Sequence, residues 1–212
     1  METRNLKIDI ETARNWYSSG DEILKELSLK AFSVDELTTY FRSIKTFKDA
    51  CKALKLDYDS LKVCAEVIAE YSKASAAMFK LNIIRKALNL GQELHFAKGP
   101  YVNYPCNPFV TEYSTYYNVE IKSGKMEIIG KIKDEGKEYN VLGGTTNYKG
   151  YSGVSGFNFC CDVGYAESNY GFLGCASKEI AQHFGKYFGM LITEAKYGDM
   201  ADFEIINSKY PN

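Results

Sequence analysis

The chain has 212 residues, 45% of them hydrophobic, which is enough to bury a core without disulfide or metal staples. Its 26 basic and 27 acidic residues nearly cancel, so no overall field recommends DNA, RNA or an anionic membrane as partner. No window approaches the run of apolar residues that a membrane span needs, and Met1–Asn5 opens no apolar stretch of signal-peptide length.

Residues 9–90 lack proline and repeat the helical period, which predicts four or five helices. Asp9 is placed to cap the first, with Ile10, Ala13 and Trp16 or Tyr17 on one side and Gly20 as its stop. Asp21 would cap a second, turning Ile23, Leu24, Leu27 and Ala31 inward. Ser33 and Glu36 have the spacing of a capping box ahead of Leu37, Tyr40 and Phe41. A fourth stripe holds Phe47, Ala50, Cys51 and Leu54. The pattern from Asp57 to Leu90 predicts the longest helix, with a break near Ser72–Ser75 and a stop at Gly91; its stripe includes Leu61, Cys64, Ala65, Ile68 and Tyr71.

Composition changes near Gly99, and all four prolines lie at Pro100 or beyond. The expected division is a helical domain over 1–95 and a Gly/Tyr-rich antiparallel sheet over 96–212. Pro105 and Pro108 imply extended or edge backbone in the tyrosine-rich stretch around them. Lys125–Lys133 and Glu138–Leu142 read as strands punctuated by Gly124 and Gly136. Residues 177–193 read as a helix lying on the sheet, with Ser177 as cap and Ile180, Ala181, Phe184, Tyr187, Phe188 and Leu191 in one stripe. Phe203, Ile205 and Ile206 suggest a last edge strand. The fold class expected is therefore α+β, with an N-terminal helical domain followed by a small antiparallel sheet and a C-terminal helix packed on it.

Gly143–Gly174 stands apart: it holds eight glycines, four tyrosines, three phenylalanines, three serines and three asparagines, with Lys149, Asp162 and Glu167 as its only charges. Phe157, Phe159, Cys161, Val163 and Tyr165 alternate with smaller or polar residues as on a strand with one apolar face, and Ser168–Leu173 suggests a second strand. Tyrosine supplies large contact area with few rotors, serine and asparagine supply adaptable hydrogen bonds, and glycine permits close approach. That mixture points to a ligand-binding surface formed by Tyr148, Tyr151, Phe157, Asn158, Tyr165, Asn169 and Tyr170. A glycine-rich sheet sealed against the helix is the alternative.

Catalysis has little to work with. The two histidines, His95 and His183, do not complete a zinc spacing with the six cysteines, none of which sits in CxxC. Cys161 or Cys175 with His183 is the one Cys/His pairing to test. No phosphate-binding glycine motif is present. Neither a cofactor nor a metal is expected, and six reduced thiols fit a reducing compartment.

The run Tyr170–Ala181, Tyr-Gly-Phe-Leu-Gly-Cys-Ala-Ser-Lys-Glu-Ile-Ala, together with Thr46–Leu54, Thr-Phe-Lys-Asp-Ala-Cys-Lys-Ala-Leu, resembles an uncharacterised family of phage and prophage proteins of gut Bacteroidetes. The resemblance implies a phage setting, in the host cytoplasm or on the virion, and implies no activity. Gly143–Gly174 is similar in composition to the variable region of target proteins of diversity-generating retroelements, which implies a diversified binding surface on a lectin-type scaffold. The functional expectation is a non-catalytic binding module for a protein, sugar or small-molecule ligand. The alternatives are a single-stranded nucleic-acid-binding protein, for which Lys122, Lys125, Lys131, Lys133 and Lys137 would supply a basic track, and a structural assembly component forming homo-oligomers.

Overall fold

The computed structural model describes residues 8–89, 101–102, 109–110, 115–124, 126–144, 164–165, 173–176 and 178–211. In chain order these form α1 (Ile10–Ser18), α2 (Glu22–Ala31), α3 (Val34–Thr38), a 3-10 turn (Tyr40–Ser43), α4 (Phe47–Ala53), α5 (Tyr58–Ala69) and α6 (Lys73–Leu88). Then follow β1 (Tyr101–Val102), β2 (Phe109–Val110), α7 (Thr115–Lys122), β3 (Met126–Asp134), β4 (Lys137–Gly144), β5 (Gly164–Tyr165), α8 (Lys178–Tyr197) and β6 (Glu204–Ser208). The fold is α+β: a helical body precedes an antiparallel sheet of order β2–β4–β3–β6, and β1 pairs with β5 separately.

The helical body is delimited by its caps. Asp9 accepts from the amides of Glu11 and Thr12, Asp21 from those of Ile23 and Leu24, and the Ser33/Glu36 capping box is formed in full. Thr46 and Asp49 make a second box at α4. The long period of residues 57–90 is cut at Ser72, whose hydroxyl accepts from the Ser75 amide and so begins α6. The Asp199 carboxylate, from the turn after α8, accepts from the Ala74 amide at 3.1 Å and pins that same helix start to the far end of the chain. The expected stop at Gly91 lies outside the described residues, as does the division expected between residues 95 and 96.

Two inward stripes are corrected. Ile23 is 73% exposed and Leu27 38%, while Ser28 is the buried residue of α2, its hydroxyl satisfied by the Leu24 carbonyl. On α5 only Ala65 is fully buried and Cys64 is exposed, and Tyr71, just beyond the helix, is 89% exposed. α5 meets the core through Ala65 with Tyr58 and Leu61, and α2 buries Ser28, which leaves Ile23, Leu27 and Tyr71 outside.

β3 and β4 form a two-residue hairpin in which Glu135 (φ 47°) and Gly136 (φ 77°) are both left-handed, the turn whose twist matches the strands. A bulge between Ile128 and Gly130 resets the alternation, so Ile129 and Ile132 face the core while Ile128 is 40% exposed. β6 adds the expected last strand along β3. The tyrosine-rich stretch contains a helix, α7, over Thr115–Lys122 that its composition did not suggest.

α8 is the keystone. Ile180, Ala181, Phe184, Phe188, Leu191 and Ile192 join the main core with Phe41, Ile44, Leu81, Ile84 and Leu88 of the helical body. Met190 turns the other way and packs with Ile129, Ile132 and Val141 of the sheet. The sheet comes close: a Cβ on Gly143 would stand 3.4 Å from the Cα of Lys186 and 2.7 Å from Ile129 Cγ2. Gly143 therefore has no room for a side chain, and Gly185 and Gly189 are buried on α8.

Candidate functional site

Of the seven residues expected to form a binding surface, Tyr148, Tyr151, Phe157, Asn158, Asn169 and Tyr170 lie outside the described residues. Tyr165 lies on β5, where it stands opposite Tyr101 in antiparallel register, with Gly164 opposite Val102. Ser168–Leu173 is described only at Leu173, which is buried.

What the fold does define is how the Tyr/Gly/Ser/Asn segment is held at its ends. On one side the chain leaves β4 through Gly143, wedged between Ile129 and α8. On the other side it returns at Leu173–Ala176, where the Asn89 side chain acts as a two-point clamp. Asn89 Nδ2 donates to the Gly174 carbonyl at 3.1 Å, and the Ala176 amide donates to Asn89 Oδ1 at 2.7 Å. Asn89 caps α6, donates also to the Arg85 carbonyl and is 8% exposed. One buried amide thus satisfies three backbone groups, two of them 85 and 87 residues away in sequence. Sequence reading missed it, although an asparagine directly after a helical stripe was the available sign.

Of the two cysteines weighed as partners of His183, Cys161 lies outside the described residues, and Cys175 and His183 are each engaged elsewhere. Cys175 is buried, its thiol donates to the Leu173 carbonyl at 3.3 Å, and burial holds the thiol well above its usual range. His183 Nε2 lies 2.6 Å from the Ile44 carbonyl; the carbonyl can only accept, so this nitrogen carries the proton. Its ring sits between Phe41 (5.3 Å) and Tyr187 (4.6 Å). Burial lowers its pKa to about 4 against the opposing help of the Ile44 bond, and Lys45, Lys186 and Arg42 add repulsion in the same direction as burial. His183 is a neutral packing residue that ties α8 to the helical body. Among the described residues no group of His, Cys, Asp and Glu could hold a metal ion, and no helix is long and apolar enough to cross a membrane. Cys51 and Cys175 are buried free thiols and Cys64 is an exposed one.

A charged cluster joins the sheet to α8 and the tail. Glu127 on β3 receives Lys186 at 3.0 Å, Lys209, and the Tyr210 hydroxyl at 3.1 Å. Partial burial alone would raise the Glu127 pKa, but the hydrogen bonds from Lys209 and Lys186 outweigh it and hold the carboxyl below its usual range. Tyr210 also packs on Tyr187 at 4.8 Å. This cluster fixes the platform beneath Gly143.

Comparison of the chain with models of protein families, with curated proteins and with solved structures finds no match.

Proposed function

We propose that the protein is a non-catalytic binding module that presents the Tyr/Gly/Ser/Asn segment between residues 143 and 174 to a protein, sugar or small-molecule ligand. The observation that supports this reading is the way the segment's two ends are held. A low-charge, aromatic, glycine-rich stretch is strung between Gly143, seated on α8, and the Asn89 clamp at Gly174–Ala176. Binding residues are disproportionately carried on connecting segments whose ends a rigid scaffold positions. α8, buried on both sides, is such a scaffold. Tyr148, Tyr151, Phe157, Asn158, Tyr165, Asn169 and Tyr170 are the contact residues under this reading, and a phage or prophage setting is the one its sequence resemblance suggests.

The test uses a peptide library displayed on phage and a glycan array, each probed with the wild-type chain and with Tyr148→Ala/Tyr151→Ala/Tyr165→Ala. Selected peptides or glycans should bind the wild type and lose at least tenfold in affinity with the triple variant. The thermal transition should stay within a few degrees. Selected ligands that bind both proteins equally would place recognition elsewhere.

A further inference from the structure

A second site lies on the helical body, independent of the segment just discussed. A cleft of about 440 Å³ opens between α4, α5, α6 and the C-terminal end of α8. It is within the size range of small-molecule pockets, roughly 300–1,000 Å³. Small side chains line its floor: Ala65 and Ala69 on α5, and Ala76 and Ala77 on α6. Phe47 and Tyr58, whose rings are 5.9 Å apart, form an aromatic end wall.

The charge around this apolar floor is uneven. Lys48, Lys62, Lys73 and Lys80 line it, against Glu66 and Glu194. That is two positive charges in excess within a chain whose net charge is −1. Lys62 is engaged by Glu66 at 3.7 Å and Lys48 lies over the Tyr58 ring at 5.5 Å. Lys73 and Lys80, seven residues or two turns apart on α6, make no close ion pair among the described residues; the carboxylates whose charge they feel are Glu194, for both, and Asp199, for Lys73. Glu194 is itself half-buried, and its burial raises its pKa despite both lysines. An incoming anion would compete with these carboxylates for Lys73 and Lys80. Low-dielectric walls strengthen that field.

The geometry points to a binding site in this cleft for a small organic anion of mononucleotide size, its acidic group held by Lys73 and Lys80 and its planar or apolar part laid on the alanine floor against Tyr58. The site requires both features, since lysines alone would take any salt and the floor alone any apolar solute.

Isothermal titration with adenosine 5′-monophosphate, adenosine and inorganic phosphate tests it on the full chain at low ionic strength. The monophosphate should bind in the millimolar range or tighter, and the other two at least tenfold more weakly. Lys73→Gln/Lys80→Gln should weaken it about tenfold, since each exposed ion pair accounts for a factor of up to about five. Ala69→Leu, at an exposed lining position, should block the floor without unfolding the chain, which a thermal scan verifies. Glu194→Gln removes a competing carboxylate and should tighten binding severalfold. Lys30→Gln, remote on α2, should change nothing. The proposal is overturned if adenosine or phosphate binds as well as the monophosphate, if none of the three binds, or if the monophosphate binds the Lys73/Lys80 and Ala69 variants as it binds the wild type.

Discussion

Asn89 shows what one side chain can hold. Replacing it with alanine would leave the Gly174 carbonyl and the Ala176 amide without partners in a buried setting, and each such group costs about 1–3 kcal/mol. Asn89→Ala should therefore lower unfolding stability by roughly 2–4 kcal/mol in a urea titration; a loss below about 0.5 kcal/mol would mean that water replaces the clamp. His183 makes a pH prediction. Its folded pKa of about 4 lies below the ordinary value near 6.5, so the unfolded chain binds the proton first as pH falls. Stability attributable to His183 is complete above pH 6.5 and is lost progressively toward pH 4, amounting to at most about 3 kcal/mol. Glu194, whose pKa is raised, tilts the other way over the acidic range. The comparison must therefore be a difference: His183→Gln, which keeps a donor for the Ile44 carbonyl, should show a flatter stability profile than wild type between pH 7 and 4. Parallel profiles would count against this account.

Among the elements, those governed by local chemistry could be read directly from the chain. Asp9, Asp21 and Ser33 begin helices because a side-chain oxygen within three residues satisfies orphan amides, and that relation is written in sequence. Gly136 could likewise be seen as punctuation, and the structure adds the reason, a positive φ of 77°. Gly136→Asn should cost less than Gly136→Val, which by backbone strain alone should lose on the order of 1–2 kcal/mol in thermal unfolding; equal losses would show that the turn relaxes. Matters decided by distant partners were not legible. Ile23 and Leu27 have the spacing of an inward stripe, yet α2 turns Ser28 inward. The β3 bulge moves Ile128 outward, a choice made by pairing with β4 and β6. α7 forms in a stretch whose tyrosines favour strands by propensity, which tertiary context commonly overrides. As for the sites, the composition of residues 143–174 was evident, but the Asn89 clamp joins residues 85 or more apart, and the lysine cleft draws on four helices. No spacing rule links such positions.

At the level of the whole molecule, helices and sheet share α8. Phe184 and Phe188, with ring centroids 5.7 Å apart, are fully buried on the side toward Leu81 and Leu88, while Met190 meets Ile129 and Ile132. Phe184→Ala should cost about 3–5 kcal/mol and should speed amide hydrogen exchange in α6 as well as in β3 and β4. Accelerated exchange confined to α6 would show that the sheet stands without the helix.

The late position of α8 also bears on how the protein is made. Synthesis runs from the N-terminus, so α4 and α6 emerge from the ribosome well before the helix that covers them. For that interval Ile44, Leu81, Ile84 and Leu88 form an uncovered greasy seam, closed only once Phe184 to Ile192 have been translated. A nascent chain of this design has its period of greatest vulnerability to self-association and chaperone capture just before α8 is made, and premature termination before α8 would release a fragment that keeps the seam open.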